Sequence, residues 1–265
     1  MTDLTPRQQR EVAYHARRFT VLHDNRRLLR HEVIECPTRK WWNHYWVAYS
    51  ELCRVGLRGR TVLVPGCGTG IDAVRCAKLG ANVQAFDLSP DMLRLAEESA
   101  ATEGEAVEFR CIPAEQLSYA DNSFDVIFVR DLLHHCDISP CLSEFARVAK
   151  PGAFVVIDEL YTHGAVQKLR DSTLGQQVYV IVRPLIYKGQ TPYITEDERK
   201  INEDELDTIR ATLTDVRCRY FNAIVNRFLP DWDPVEMVDY VLVQCMGSIA
   251  RWLAGRILLT GYITK

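Results

Sequence analysis

The 265-residue sequence lacks the features that mark several broad protein classes. No apolar run reaches the roughly 18–20 residues that a helix needs to span a bilayer, so we expect no membrane span. The nine cysteines are odd in number and contain no C-x-x-C pair, which argues against a disulfide framework and a zinc ribbon. The polar start lacks the apolar stretch of a secretory signal, so we expect a cytoplasmic location.

Charge is close to balanced overall but unevenly distributed along the chain. The net charge is −3, and hydrophobic residues make up 47% of the sequence, as in ordinary globular proteins. Residues 1–60 carry 12 Lys or Arg against 6 Asp or Glu, whereas residues 61–265 carry 20 against 29. A basic segment ahead of an acidic body can attract an anionic partner, and solvated amphipathic helices explain the same pattern.

The middle of the chain alternates short apolar runs with helical patterns. Near-continuous apolar strands between helices indicate a parallel sheet covered on both faces, wound by right-handed crossovers. Residues 1–57 have a helical pattern. The predicted strands are 61–65, 82–87, 107–112, 124–129, 153–159, 216–224 and a last one within 255–265; the predicted helices after the middle region are 166–189, 203–213 and 234–253.

The most informative stretch is VLVPGCGTG, residues 62–70, in which glycines follow an apolar strand and precede a helix. Glycine permits the torsions of a tight turn and lets a ligand touch the main chain. The following helix points unpaired N–H groups and a positive dipole end toward that turn. The next strand ends at Asp87, 21 residues after Gly66, where an acid can accept hydrogen bonds from ribose hydroxyls.

Further segments continue this order. AFDLSPDMLRLAEESA follows the glycine turn, then PAEQLSYADNSFDVIFVRDLLHH and LSEFARVAKPGA. Together these segments resemble the successive motifs of class I S-adenosylmethionine-dependent methyltransferases, over residues 60–159. The likeness is greatest to the small-molecule enzymes of the methyltransferase-11 group.

The resemblance implies an α/β fold with a doubly wound, seven-stranded mixed sheet whose last strand is antiparallel. We expect a helical segment over residues 1–57 that covers the cofactor site and a cofactor-binding core over 58–160. A helical cap or substrate lid would follow over 161–213, and 214–265 would complete the core sheet.

The resemblance also implies a cofactor, S-adenosylmethionine, and roles for particular residues. The backbone at Gly66, Cys67 and Gly68 would approach its methionine part, and Asp87 would hold its ribose. The remaining expected cofactor contacts are Gly70, Asp72, Leu88, Ala114, Glu115 and Arg130.

Two positions depart from the family pattern. The family usually has an acid two residues before the first glycine, where this sequence has Val64. It also often has Asp just before Ala-Glu, where this sequence has Pro113. Asp72 is a candidate to compensate for the first departure.

Methyl transfer is an in-line displacement, so alignment of the acceptor supplies most of the catalysis. A general base is needed only for a poor nucleophile. The candidates are Asp131, His134 and His135, with Glu159 nearby, because all lie near strand ends where ligands bind in such sheets. An ordering role for Asp131 and Glu159, and no proton transfer by either histidine, are the alternatives.

Aromatic residues supply the candidate acceptor contacts. WWNHYWVAY places Trp41, Tyr45 and Tyr49 on one helical stripe, which either packs in the core or touches ligand, and His44 is expected in solvent or packing. In the predicted cap, Tyr161, Tyr179 and Arg183 would suit an aromatic or anionic acceptor. The alternative for the cap is a contact between two copies of the chain, so the sequence does not decide whether the protein forms a homodimer.

No metal site is expected. Cys136 and Cys141 lie near His134 and His135, but their spacing matches no common zinc pattern.

The sequence therefore predicts a methyltransferase that modifies the O, N or C atom of a small molecule, in natural-product, glycan or lipid biosynthesis. One alternative is a cyclase or pericyclase on the same scaffold that keeps the cofactor without transferring its methyl group. A second is an RNA or protein methyltransferase that docks through the basic N-terminal part. The acidic body and the lack of an RNA-binding module argue against it, so we expect no nucleic-acid partner.

Overall fold

The computed structural model describes residues 4–24, 29–36, 39–173, 176–177, 200–222 and 232–265. Its framework is one seven-stranded sheet. The strands are β1 (Thr61–Pro65), β2 (Asn82–Asp87), β3 (Val107–Cys111), β4 (Phe124–Arg130), β5 (Ala149–Leu160), β6 (Leu213–Phe221) and β7 (Arg256–Ile263).

The sheet order is β3-β2-β1-β4-β5-β7-β6. Strands β1 to β5 pair in parallel, whereas β7 pairs antiparallel with both β5 and β6. The chain winds outward from β1 to β3, then returns to place β4 on the other side of β1. This reversal opens a crevice at the carboxyl ends of β1 and β4, where ligands bind in such sheets. The predicted doubly wound, seven-stranded mixed sheet is confirmed.

Helices cover both faces of the sheet. They are α1 (Pro6–Asp24), α2 (Glu32–Glu35), α3 (His44–Val55), α4 (Ile71–Lys78), α5 (Pro90–Glu103), α6 (Ile138–Val148), α7 (Gly164–Asp171), α8 (Glu203–Ala211), α9 (Asp233–Cys245) and α10 (Ala250–Leu253). Among the helices within the described ranges, none combines the length and the apolar character needed to cross a bilayer.

Strand alternation divides the core between the two faces. On one face, Val62 and Val64 of β1 pack with Leu52 of α3 and with α4. On the other face, Leu63 packs with Phe145 of α6. Because successive side chains of a strand point to opposite faces, the almost continuously buried β1 serves both cores.

Polar caps fix the helices that flank the site. The Asn43 side chain accepts a hydrogen bond from the Trp46 N–H, so α3 begins at His44. Ser89 caps α5 by accepting from the Met92 N–H, and Pro90 occupies the first turn. These caps place the amino ends of both helices at the same edge of the sheet as the glycine turn.

The structure corrects several element boundaries. β6 covers 213–221 rather than 216–224, and β5 extends over 149–160. The predicted helix 234–253 breaks after Cys245, because Gly247 has a φ of 53° and begins a short 3-10 turn. Trp41 and Trp42 lie in the turn before α3, so only Tyr45 and Tyr49 of the predicted stripe are helical. Of the predicted helix 166–189, α7 ends at Asp171, and most of the rest lies outside the described residues.

Candidate functional site

A cavity of about 270 Å³ opens at the carboxyl ends of β1, β2, β3 and β4. Each of these strands contributes at least one residue at or just beyond its end. Gly66 follows β1, Asp87 ends β2, Ile112 follows β3 and Arg130 ends β4, and all four line the cavity. The cavity therefore lies at the reversal point of the sheet, where the topology predicts a ligand.

The glycine turn forms the floor of the cavity with main-chain atoms. Gly66, Gly68 and Gly70 have φ of 60°, 51° and 82°, a region that favours glycine. A Cβ on Gly70 would lie 2.8 Å from the Ala96 Cα, so α4 and α5 pack closely only because this residue is glycine. The Cys67 N–H donates to the Phe86 carbonyl at 2.9 Å and ties the turn to β2.

Asp87 joins the glycine turn to the next loop. Its carboxylate accepts from the Gly68 N–H at 2.8 Å and from the Ser89 N–H at 2.9 Å. Burial outweighs these hydrogen bonds and raises the pKa of Asp87 above its usual range. Each carboxylate oxygen carries two lone pairs, so both retain capacity to accept from a diol in the cavity.

The adenine end predicted by the resemblance is lined by Leu88, Ala114 and Glu115, together with Pro113. Ala114 is buried in the core beneath the cavity. The Glu115 carboxylate accepts from the Asp137 N–H at 3.2 Å and from the Gln8 Nε2 at 3.0 Å. These two contacts fix the Glu115 carboxylate at this end of the cavity.

Helix α1 lines the cavity and lies in the segment 1–57, which the resemblance expects to cover the cofactor site. Gln8 reaches Glu115, and the Arg7 guanidinium donates to the His134 carbonyl at 3.3 Å. These contacts join residues more than 100 positions apart, so no local signal could have identified the individual side chains. The α1 residues that line the cavity are Arg7, Gln8, Glu11, Val12 and His15.

Asp72 is buried at the amino end of α4 and also lines the cavity. It accepts hydrogen bonds from the Tyr45 hydroxyl at 2.9 Å, the Tyr49 hydroxyl at 2.6 Å and the Arg130 Nε at 2.6 Å. Burial alone would raise the pKa of Asp72, but Arg130 and the two hydroxyls hold it below the usual range. Asp72 therefore anchors Arg130 at the cavity wall.

A chain of alternating charges runs from Arg130 toward α3. The Arg130 guanidinium donates to Asp131, which also accepts from Arg256 at 2.5 Å. The Arg256 Nε donates to Asp158 at 2.8 Å, and His44 Nδ1 lies 2.8 Å from the same carboxylate. His44, which the sequence places in solvent or packing, packs against Phe221 and contacts this fully buried acid.

The two neighbouring histidines of the predicted catalytic set have different surroundings. His134 is buried, with its Nδ1 2.7 Å from Glu159, and does not line the cavity. Glu159 is fully buried and also accepts from the Leu132 N–H at 2.6 Å. His135 lines the cavity, and burial lowers its pKa to about 4, so its ring is neutral near pH 7. Asp131 lines the cavity as well, with a φ of 52° that non-glycine residues rarely adopt.

Two of the predicted acceptor contacts are wrong. Tyr49 is 0% exposed with its hydroxyl on Asp72, and Tyr161 is 1% exposed and packs against Tyr220. Both side chains fill the core and neither lines the cavity. The contact predicted for Tyr45, whose hydroxyl also binds Asp72, stays a prediction. Tyr179 and Arg183 lie outside the described residues.

Within the part of the chain that the structure describes, two groups of side chains have ligand atoms within 4.8 Å of one another. One group is Asp131, His134 and Glu159. Arg130 and Arg256 both contact Asp131 and already balance its charge, so this group is unsuited to a cation. The other group is Glu115, Cys136 and Cys141.

The residues around the cavity fit the cofactor that the resemblance implies. The glycine turn leaves main-chain atoms open to the cavity, and a Cβ on Gly66 would lie 2.8 Å from the Leu132 Cδ1 and narrow it. Asp87 offers acceptors for a ribose diol. Leu88 and Ala114 give an apolar wall, and Arg130 gives a positive charge for a carboxylate.

Comparison with known proteins agrees with this geometry. Residues 63–157 match the family described as "Methyltransferase domain". A ubiquinone biosynthesis O-methyltransferase of Alkalilimnicola ehrlichii is 31% identical over 146 residues, which covers 49% of this chain and 59% of that protein. The chain thus spans little more than half the length of this curated relative.

Solved structures show the same fold at lower identity. A phosphoethanolamine N-methyltransferase 2 of Haemonchus contortus, in complex with S-adenosyl-L-methionine, aligns with a TM-score of 0.54 and 20% identity, covering 83% of this chain and 52% of that one. The cyclase SpnF aligns with a TM-score of 0.52 and 20% identity, covering 82% and 80%. The matched region, the ordered motifs and the fold together show that residues 63–157 of this chain form a methyltransferase domain with the class I fold.

Proposed function

We propose that this protein transfers the methyl group of S-adenosylmethionine to an oxygen, nitrogen or carbon atom of a small molecule. The observation that carries the proposal is the junction of the glycine turn with Asp87 at one cavity. The pathway we propose is natural-product, glycan or lipid biosynthesis, and the ubiquinone biosynthesis O-methyltransferase among the relatives supports a small-molecule acceptor.

The chain's own residues would bind and orient the cofactor. Main-chain atoms of Gly66, Cys67 and Gly68 would contact its methionine part, and Asp87 would accept from the ribose hydroxyls. Leu88 would pack against the adenine. The cofactor, when bound, supplies a methyl group on a positive sulfur. Holding an acceptor atom in line with that methyl group, at about 3–3.5 Å, then supplies most of the rate enhancement.

Proton transfer, where the acceptor requires it, falls to the residues at the end of β4. His135 is neutral near pH 7, so its ring can accept a proton, but the burial that lowers its pKa to about 4 makes it a weak base that suits an acceptor whose own proton is acidic. Asp131 is fixed between Arg130 and Arg256 and orients the acceptor. His134 is a positioning residue, because its contact with Glu159 holds the turn that carries His135.

The remaining features of the proposal concern the acceptor and the assembly. We propose an aromatic or anionic acceptor: an aromatic one would pack on Val12 and Leu132. An anionic one would contact Arg7, because Arg130 already pairs with Asp72 and Asp131. The cap expected over 161–213 would close the acceptor side, with Tyr179 and Arg183 as further contacts, and α1 would close the cofactor side. We propose a cytoplasmic enzyme without a nucleic-acid partner. A homodimer is the alternative use of the cap surface.

The test is methyl transfer from labelled cofactor. The protein is incubated with S-adenosylmethionine labelled in the methyl group and with pools of phenols, amines and carboxylic acids, and products are separated by mass. We expect label in at least one small molecule and equimolar S-adenosylhomocysteine. Calorimetry that shows no binding of either form of the cofactor would overturn the proposal.

A cyclase that retains the cofactor is the second candidate, and Val64 favours it. Where the family places an acid near the methionine end, this chain has an apolar residue that is 3% exposed within β1. The same labelling experiment separates the two candidates. A product that forms without label, while the cofactor is recovered intact, would support the cyclase.

A further inference from the structure

Two thiols and a carboxylate meet beneath the end of the cavity that Leu88 and Ala114 line. The Cys136 Sγ, the Cys141 Sγ and a Glu115 oxygen all lie within 4.8 Å of one another. Neither cysteine forms a disulfide. Cys136 is 4% exposed and Cys141 is 0% exposed, while Cys136 and Glu115 also line the cavity. The group is therefore enclosed by protein on one side and open to the cavity on the other.

The local fold explains why residues five positions apart come together. Cys136 ends the 3-10 turn Leu133–His135 in extended conformation, with φ of −118° and ψ of 165°. Asp137 then begins α6 with its carbonyl accepting from the Cys141 N–H at 3.2 Å, which places Cys141 in the first helical turn. The Asp137 N–H meanwhile holds the Glu115 carboxylate. One short reversal of the chain thus arranges all the ligands.

These ligand atoms suit a borderline-soft cation. Zinc and cadmium prefer thiolate sulfur and accept carboxylate oxygen, and three protein ligands leave a fourth position for solvent. The mutual spacing of the ligand atoms lets them converge on one ion with small side-chain adjustments. We propose that Cys136, Cys141 and Glu115 form a binding site for a thiophilic divalent cation of the zinc class.

Binding exchanges protons for the metal. The cation forms two metal–sulfur bonds and one metal–oxygen bond, and the two S–H bonds break with release of two protons to solvent. Because two protons are released, the affinity should increase with pH.

The site would compete with the cofactor. Glu115 and Cys136 face the cavity in which the proposed function places the adenine, and this consequence rests on that function. A cation bound to Glu115 would displace the Gln8 amide that now contacts this carboxylate and would loosen α1 over the cavity. We expect metal and cofactor to weaken each other's binding by the same factor, as linkage requires.

The experiment titrates the full-length, reduced protein with Cd²⁺ and follows the ultraviolet sulfur-to-metal charge-transfer band. We expect one saturable band that is lost in Cys136→Ser and in Cys141→Ser. Each substitution should weaken Cd²⁺ at least about 100-fold, because even outer-shell partners are worth about 10–100-fold. The matched control is Cys111→Ser, an exposed thiol outside the group, and should keep the band.

The design also covers variants that fail to fold. Glu115→Gln removes a ligand at a partly exposed position and leaves both thiols in place. It should lower the affinity for Cd²⁺. It should change the pH dependence of that affinity less than a cysteine substitution does. Equal bands in the wild type and both cysteine variants would overturn the site. So would a Glu115→Gln protein that binds Cd²⁺ with unchanged affinity.

A separate titration distinguishes this proposal from the proposed function. S-adenosylhomocysteine is titrated into the metal-free protein and again after saturation with Cd²⁺. Tight binding in the first case together with no Cd²⁺ site would reject the metal and leave the methyltransferase intact. A Cd²⁺ site without any binding of S-adenosylhomocysteine would do the reverse.

Discussion

The two ends of the cavity are built in different ways. At the glycine turn, the contacts are main-chain groups and one carboxylate, Asp87, all within 22 consecutive residues from 66 to 87. At the end toward α3, the contacts are between side chains of different elements. Arg130 and Arg256 both donate to Asp131, and Arg256 also donates to Asp158. The first end depends on backbone torsions, which a short sequence motif can predict. The second depends on contacts between residues far apart in the sequence, which a short motif cannot predict.

If this contrast is correct, the largest effect on stability comes from removing the hub of the charged end. Arg256→Ala leaves Asp158 fully buried with only His44 as a charged neighbour. Breaking a buried ion pair from one side costs about 3–5 kcal/mol of unfolding free energy. Urea denaturation measures the loss.

The matched control is Arg219→Ala on β6, the strand beside β7, which removes the ion pair between the partly exposed Arg219 and Glu51 of α3. That change should cost less than about 1 kcal/mol. Equal losses in the two variants would show that the buried chain of charges contributes no more than a surface pair.

The next effect tests the end built on the backbone. Asp87→Ala removes the carboxylate that accepts from Gly68 and Ser89 and that the proposed function places on the ribose. We expect the affinity for S-adenosylhomocysteine to fall about 100-fold, near 2.7 kcal/mol, since each hydrogen bond to a charged group is worth about 1.5–3 kcal/mol. Calorimetry measures it.

Asp91→Ala is the control, an acid four residues further on in the first turn of α5 that does not line the cavity. It should leave the affinity within about twofold, since surface changes away from special features stay within about 0.5 kcal/mol. An unchanged affinity in Asp87→Ala would remove the ribose assignment.

The contrast also explains how much the sequence could predict. The bounds of β1 and β2 follow from apolar runs and are confirmed to the residue. The seven-stranded mixed sheet follows from the family resemblance and is also confirmed. The helical spacing predicts a ligand contact for Tyr49, because an aromatic stripe has the same spacing whether it faces a cavity or a core. Its hydroxyl binds Asp72 instead, a partner 23 positions away on another element. The contact of His44 with Asp158, 114 positions away, likewise has no local signal in the sequence.

The pH dependence of stability gives a smaller effect. Burial alone would raise the pKa of Asp158, but His44 and Arg256 hold it well below the usual range. The unfolded chain therefore takes up a proton at a higher pH than the folded chain does. The stabilisation is complete above the unfolded pKa, near 4, and disappears as the pH falls through the folded value.

Asp158→Asn should remove this contribution. Measured by urea denaturation between pH 7 and pH 2, the gap between wild type and variant should narrow on acidification by about 2 kcal/mol, as for a salt-bridged aspartate in general. The control is Asp207→Asn, at an exposed position of α8, which measures the effect of losing an aspartate that is not buried. Parallel curves for wild type and Asp158→Asn would contradict the ion-pair account.

The smallest effect lies where the two ends meet, at Asp72. Tyr49→Phe removes a fully buried hydroxyl whose hydrogen bond to the carboxylate is 2.6 Å long. Because Arg130 and Tyr45 still satisfy Asp72, the loss should be about 1.5 kcal/mol in thermal or urea unfolding, the lower value for a bond to a charged group. Tyr45→Phe removes the second hydroxyl, which also accepts from Arg75, and should cost at least as much. If Tyr49→Phe lowered cofactor affinity while stability stayed unchanged, this buried side chain would belong to the cavity after all, and the boundary between the two ends would lie elsewhere.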